Sequence, residues 1–141
     1  MKGFFDTSVL VPLFYRDHVH HRPSQDLFIQ FNQATGGCGA HSLAEVYATL
    51  TRMPGKRRIS GQQAMLFIGN IRERLSIIAL NSEEYADSLE ASAVLGMVGG
   101  GIYDALLAHC ALKAKAEAIY TWNMRHYTLC GREVVGRLRT P

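Results

Sequence analysis

Residues 3–10, GFFDTSVL, decide how the rest of the chain is read. Gly3–Phe5 is an apolar run of strand type that ends at Asp6. Thr7 and Ser8 follow, and Val9, Val11, Leu13 and Phe14 then resume with helical character; Pro12 is tolerated because it falls in the first turns. A carboxylate at the end of a buried strand is costly unless something positive sits beside it. In α/β proteins the carboxyl ends of parallel strands are where chemistry collects. Asp6 alone could be an N-cap, so its meaning depends on what the chain brings to it.

Downstream, Arg16–Pro23 (RDHVHHRP) is polar and breaks the helical pattern. A helix is expected from Ser24, with Leu27, Phe28, Phe31 and Ala34 in step and Gly36 and Gly37 ending it. A very short strand is expected at Cys38–Ala40. Ser42 and Glu45 then read as a capping box opening a third helix. Leu43, Val46, Tyr47 and Leu50 form the apolar stripe of that helix, and Glu45, Thr49 and Arg52 share a polar face. Ser60 with Gln63 is a second capping box, ahead of Met65, Ile68, Ile71 and Leu75. Ser76–Leu80 reads as a strand, and Ser82 as the cap of a helix with Glu83 and Glu84 in its first turn. Gly99–Gly101 interrupts the chain before Asp104. Ala105–Ala118 is expected to be helical, Ile119–Thr121 a strand, and Glu133–Val135 a last short strand before a basic tail. Strands alternating with helices imply a three-layer α/β/α sandwich around a central parallel sheet, residues 1–141 forming one domain.

Composition bounds the function. At 141 residues, 48% hydrophobic and 19% charged, the chain can bury a core and is not disordered. No apolar run approaches a membrane span, and Asp6 and Pro12 interrupt the N-terminal apolar stretch, so neither a membrane segment nor a secretory signal is expected. A cytoplasmic location follows by default. Three cysteines without Cys-x-x-Cys spacing argue against both zinc and a disulfide framework. The net charge of +3 suits a polyanionic partner without requiring one.

Asp6, Glu45, Asp104 and Asn123 each fall at a strand end or in the first turn of a helix, positions that a parallel sheet gathers along one edge. Taken singly, each could be a cap. Together, three converging carboxylates repel one another, and a divalent cation is the usual remedy. All-oxygen donors suit Mg²⁺, or Mn²⁺.

The pieces FFDTSVL (4–10), SLAEVYATLTR (42–52), GGGIYDALLAHCA (99–111) and YTWNMRHY (120–127) resemble, in order and spacing, the signature of PIN-domain ribonucleases. Within that family they are most similar to VapC-type toxins of bacterial toxin–antitoxin pairs. The resemblance implies metal-assisted hydrolysis of an RNA phosphodiester, with Asp6, Glu45 and Asp104 as the acids that hold Mg²⁺. The family has Asp or Asn at the place of Asn123, so a water-positioning role follows for this amide. Thr7, Ser8 and Thr121 match positions that support the acidic cluster. A cognate antitoxin and a homodimer are further implications of the same likeness.

Other readings compete. A PIN-domain nuclease of housekeeping RNA processing would need no antitoxin, and a non-catalytic scaffold would bind only RNA or protein. A phosphotransferase of the haloacid-dehalogenase type also opens with strand-Asp, but it calls for a second acid where Ser8 stands. Gly99–Gly101 lacks the flanking pattern of a P-loop. Arg52, Lys56, Arg57, Arg58 and Arg125 are candidates for RNA or antitoxin contact, against a simple solvated-surface role. Solvent exposure is expected of His18, His20 and His21. Trp122 and Tyr127 could stack on a base, although packing is the plainer expectation.

Overall fold

Successive side chains of a strand point to opposite faces of its sheet, and Phe4 and Phe5 divide the core accordingly. They belong to β1 (Gly3–Phe5), which lies in the middle of the sheet seen in the computed structural model, where residues 1–141 are all described. Its neighbours are β2 (Gly36–Gly39) and β4 (Ala118–Tyr120); β3 (Ser76–Ile78) and β5 (Leu138–Arg139) form the edges. All pairings are parallel and the order is β3-β2-β1-β4-β5. The chain runs outward from β1 through β2 to β3 and then crosses back to β4. The carboxyl ends of β1 and β4 therefore flank the switch point of the sheet, the usual place for a ligand crevice.

Phe5 and its register partner Cys38 pack with Val9, Val46, Leu50, Ile68, Ile71 and Leu75. The helical ones come from α1 (Thr7–Leu10), α3 (Ala40–Arg52) and α4 (Gly61–Arg74), Leu75 being the C-cap of α4, and α2 (His21–Phe28) adds Leu27 and Phe28. On the other face Phe4 and its partner Ile119 meet Leu107, Ala111, Tyr127 and Val134. That face is covered by α6 (Gly101–Lys113) and α7 (Arg132–Val135), with α5 (Ser82–Val94) packed on α6. The result is the expected α/β/α sandwich. Full burial of a side chain like Phe4 or Phe5 contributes about 1.5–3 kcal/mol, and both are fully buried.

Several boundaries differ from expectation for local physical reasons. Gly36 and Gly37 do not stop a helix; they belong to β2, because a Cβ at Gly36 would meet Phe31 and Leu75 at 2.9 Å. The second helix starts at His21 and ends at Phe28, where Arg74 takes the Phe28 and Ile29 carbonyls. This frees Phe31 to turn inward against Phe5. Ser42 and Glu45 make no capping box, since the helix already begins at Ala40 with Gly39 as its cap. Asn81, not Ser82, caps α5 in a box with Glu84, whereas the Ser60–Gln63 box forms as expected. The α6 helix starts at Gly101, which places Asp104 in its first turn. Glu133–Val135 is helical, not a strand, after Gly131 turns at φ +92°. Pairing with β4 falls instead to Leu138–Arg139.

Candidate active site

The carboxylate of Asp6, only 3% exposed, points into a dense set of donors at the end of β1. Oδ2 accepts hydrogen bonds from Ser8 Oγ at 2.6 Å and Thr121 Oγ1 at 2.8 Å, and Oδ1 accepts from the Tyr127 hydroxyl at 2.7 Å. Charge-assisted bonds of this kind are among the stronger ones and hold the buried group in one orientation. Thr121 reaches Asp6 because β4 lies directly beside β1 and the Asp6 amide bonds to the Tyr120 carbonyl. Burial, and after it the Asp6 charge, pushes the Tyr127 phenol well above its ordinary value, so it remains a donor.

Glu45 comes from α3, one turn past the end of β2. Thr7 Oγ1 lies 2.9 Å from both Glu45 Oε1 and Ser42 Oγ. The single Thr7 hydroxyl proton is donated to the Glu45 carboxylate, and the fully buried Ser42 hydroxyl is left to donate to Thr7. His41, one helical turn earlier, places Nε2 3.9 Å from the same carboxylate oxygen. Asp104 enters from the first turn of α6, with His126 Nδ1 3.5 Å from its Oδ2. Burial, then the negative charges of Asp6 and Glu45, raise the Asp104 carboxyl to about 6, with His126 opposing. The backbone N–H of Asn123 donates to Thr121 Oγ1 at 2.9 Å, which fixes the residue at the mouth of the site.

Asp6, Glu45, Asp104 and Asn123 thus line one open cleft of about 550 Å³, together with Thr7, Ser8, Thr49, Tyr103 and His126. The donor set fits a divalent cation: three carboxylates supply hard oxygens, and the Asp104 carboxyl, raised by burial and then by the charge of Asp6, is offset only in part by His126. No three acidic, histidine or cysteine side chains stand close enough together to grip an ion as they lie. The cleft therefore gathers the acids without closing them into a cage, as is common where binding itself orders the ligands.

The basic candidates divide. Arg52 lines a hollow beside Glu45. Arg57 is tied to Asp17 and lies over the Tyr15 ring, and Arg58 donates to the Met53 carbonyl at 3.1 Å. Neither of these two arginines, nor Lys56 or Arg125, lines the cleft. His18, His20 and His21 are not solvent-exposed but half-buried. His20 stacks on Trp122 at 3.7 Å, and Trp122 Nε1 donates to the buried Ser24 hydroxyl at 2.9 Å. Trp122 therefore anchors the loop and Tyr127 supports Asp6, and neither presents a free face to a base. Sequence reasoning missed His41, Tyr103 and His126. Position offered hints, since His41 lies one turn from Glu45, Tyr103 directly precedes Asp104, and His126 closely follows Asn123.

A PIN domain family model matches residues 3–130. The chain belongs to the PIN domain family. Among its relatives, Ribonuclease VapC27 of Mycobacterium tuberculosis (strain ATCC 25618 / H37Rv) is 34% identical over 113 residues, 79% of this chain and 78% of that protein. Among the solved structures that share this chain's fold, two illustrate it. One is M. tuberculosis VapC20, a Sarcin-Ricin loop cleaving toxin, with a TM-score of 0.73 at 14% identity, covering 94% of this chain and 98% of that one. The other is a toxin-antitoxin complex from Klebsiella pneumoniae, with a TM-score of 0.65 at 14% identity and coverage of 90% and 91%. The two structural likenesses speak for the PIN fold, and the sequence match to VapC27 places the chain among PIN ribonucleases of VapC type.

Proposed function

We propose that this PIN protein is a Mg²⁺-dependent endoribonuclease, the toxin of a type II toxin–antitoxin pair, acting in the cytoplasm on RNA phosphodiester bonds. The observation that carries the reading is the meeting of Asp6, Glu45 and Asp104, far apart in sequence, in one cleft at the switch point of the sheet. The VapC relatives and the toxin–antitoxin complex support the choice of RNA as substrate and of an antitoxin as partner. No helix is long and apolar enough to cross a membrane.

In this reading Asp6, Glu45 and Asp104 hold Mg²⁺ or Mn²⁺, which would supply a water acidic enough to attack and would offset charge on the phosphate. Asp6 is pre-set by Ser8, Thr121 and Tyr127, so its orientation costs little on binding. Glu45 is turned toward the cleft by Thr7. Burial and then the charge of Asp6 hold the Asp104 carboxyl up to about 6 without an ion, and a bound cation would favour its ionised form. Asn123, exposed at the mouth, offers an amide to orient water. No cysteine or serine nucleophile is required. A homodimer is part of the proposal by family likeness.

The test is cleavage of RNA by purified protein. Asp6→Asn and Asp104→Asn are expected to abolish cutting and cellular toxicity with the circular dichroism spectrum unchanged, and EDTA is expected to stop the wild type. Full activity in both variants, or in EDTA, would remove the metal-site reading. A small neighbouring gene for a DNA-binding antitoxin separates the toxin from a housekeeping PIN nuclease.

A further inference from the structure

The rim of the acidic cleft carries a flat aromatic surface. Tyr103, next in sequence to Asp104, is 48% exposed, and its ring stacks on that of His41 with centroids 4.9 Å apart and planes 14° from parallel. The pair bridges the first turns of α3 and α6. Tyr103 borders the cleft and also, with Glu45 and Thr49, a second hollow of about 370 Å³ completed by His41, Ala48 and Arg52. Arg57, Arg74 and Arg137 are committed to carboxylates or carbonyls, but Arg52 makes no hydrogen bond or ion pair.

We propose that this hollow is a nucleobase subsite, where an unpaired RNA base next to the scissile phosphate stacks on Tyr103 and receives hydrogen bonds from Arg52. The proposal rests on the ribonuclease reading and adds a determinant of where RNA is cut. Single-stranded RNA offers splayed bases whose faces stack on aromatic rings. The guanidinium fork supplies coplanar donors, and guanine O6 and N7 are the acceptors that match it best. Tyr103 and Asp104 both line the cleft, so a base seated on one brings its own phosphate to the other. A partner helix would suit the hollow poorly, because Glu45 and Arg52 would lose water against its apolar face. The surface of Leu43, Tyr47 and Met65 on α3 and α4 is the better place for such a helix.

The test measures binding, by fluorescence anisotropy, of a labelled single-stranded RNA that spans a mapped cleavage site. Asp6→Asn protein in Mg²⁺ serves as the cleavage-free background, and an abasic nucleotide is walked across the site. One abasic position beside the cut is expected to weaken binding roughly five- to 100-fold. Adding Tyr103→Ala should weaken the intact RNA by a similar factor and remove sensitivity to that abasic position, while Tyr103→Phe retains both. Guanine is expected to be preferred there, and Arg52→Ala to erase the preference. The subsite is overturned if Tyr103→Ala binds as tightly as its parent, or binds more weakly but keeps the same abasic sensitivity. It is likewise overturned if Tyr103→Ala loses only binding to a partner peptide. In those cases wild-type cleavage leaves the ribonuclease reading standing; a wild type that neither cuts nor binds RNA removes both.

Discussion

At the scale of single residues, the site depends on how one buried carboxylate is held and another is left under strain. The Tyr127 hydroxyl is the sole donor to Asp6 Oδ1. Tyr127→Phe keeps the ring and deletes that bond, so urea unfolding should show a loss of about 1.5–3 kcal/mol, with slower cleavage as Asp6 loosens. Asp104 shows the opposite case. Its carboxyl titrates at about 6 against an ordinary 3.8, raised by burial first and then by Asp6 and Glu45. The folded protein thus binds this proton more tightly than the unfolded chain. Asp104 contributes most to stability below the unfolded value, and the contribution is lost as pH rises through about 6. In EDTA, Asp104→Asn is expected to be more stable than the wild type by on the order of 2 kcal/mol at pH 8 and by little at pH 4. Equal stability of the two proteins at pH 8 would show that the charge is already compensated.

At the scale of elements, the placement of α6 against the sheet decides whether Asp104 reaches the cleft. Gly39, at the end of β2, lets α6 approach: a Cβ there would lie 2.5 Å from Leu107 Cδ2, and Leu107 is itself enclosed at 1% exposure. Gly39→Ala is expected to cost about 1–3 kcal/mol in urea unfolding by overpacking and to slow cleavage as α6 is displaced. Gly69 provides the contrast, since it sits within α4 and a Cβ added there would have nothing within 4 Å. Gly69→Ala should stabilise the protein by about 0.5–1 kcal/mol and leave cleavage unchanged. The Ser60 capping box was legible in sequence because both of its bonds are local. The Ser42–Glu45 pair was misread because the same spacing serves a different purpose: Ser42 supports Thr7, which in turn holds Glu45.

At the scale of the whole molecule, like charges brought to one sheet edge would couple ion binding to folding stability. A divalent cation at about 100 times its dissociation constant contributes about 2.7 kcal/mol, or roughly 5–10 °C in melting temperature. The wild type should show this rise in Mg²⁺ or Mn²⁺ by thermal denaturation, and the Asp6→Asn/Asp104→Asn double variant should not. The same rise in both would place the ion elsewhere. The sequence by itself determined the alternation of strands and helices, the apolar stripes, and the order of acids that resembles the PIN signature, because periodicity and motif order are local or ordinal properties. GFFDTSVL showed that Asp6 ends a strand. Only the tertiary structure decided what meets it: Tyr127 beneath it, Thr121 from the neighbouring strand, and Tyr103 with His41 at the rim. Those contacts join residues up to 121 positions apart, and strand order and helix packing, not chain proximity, bring them together.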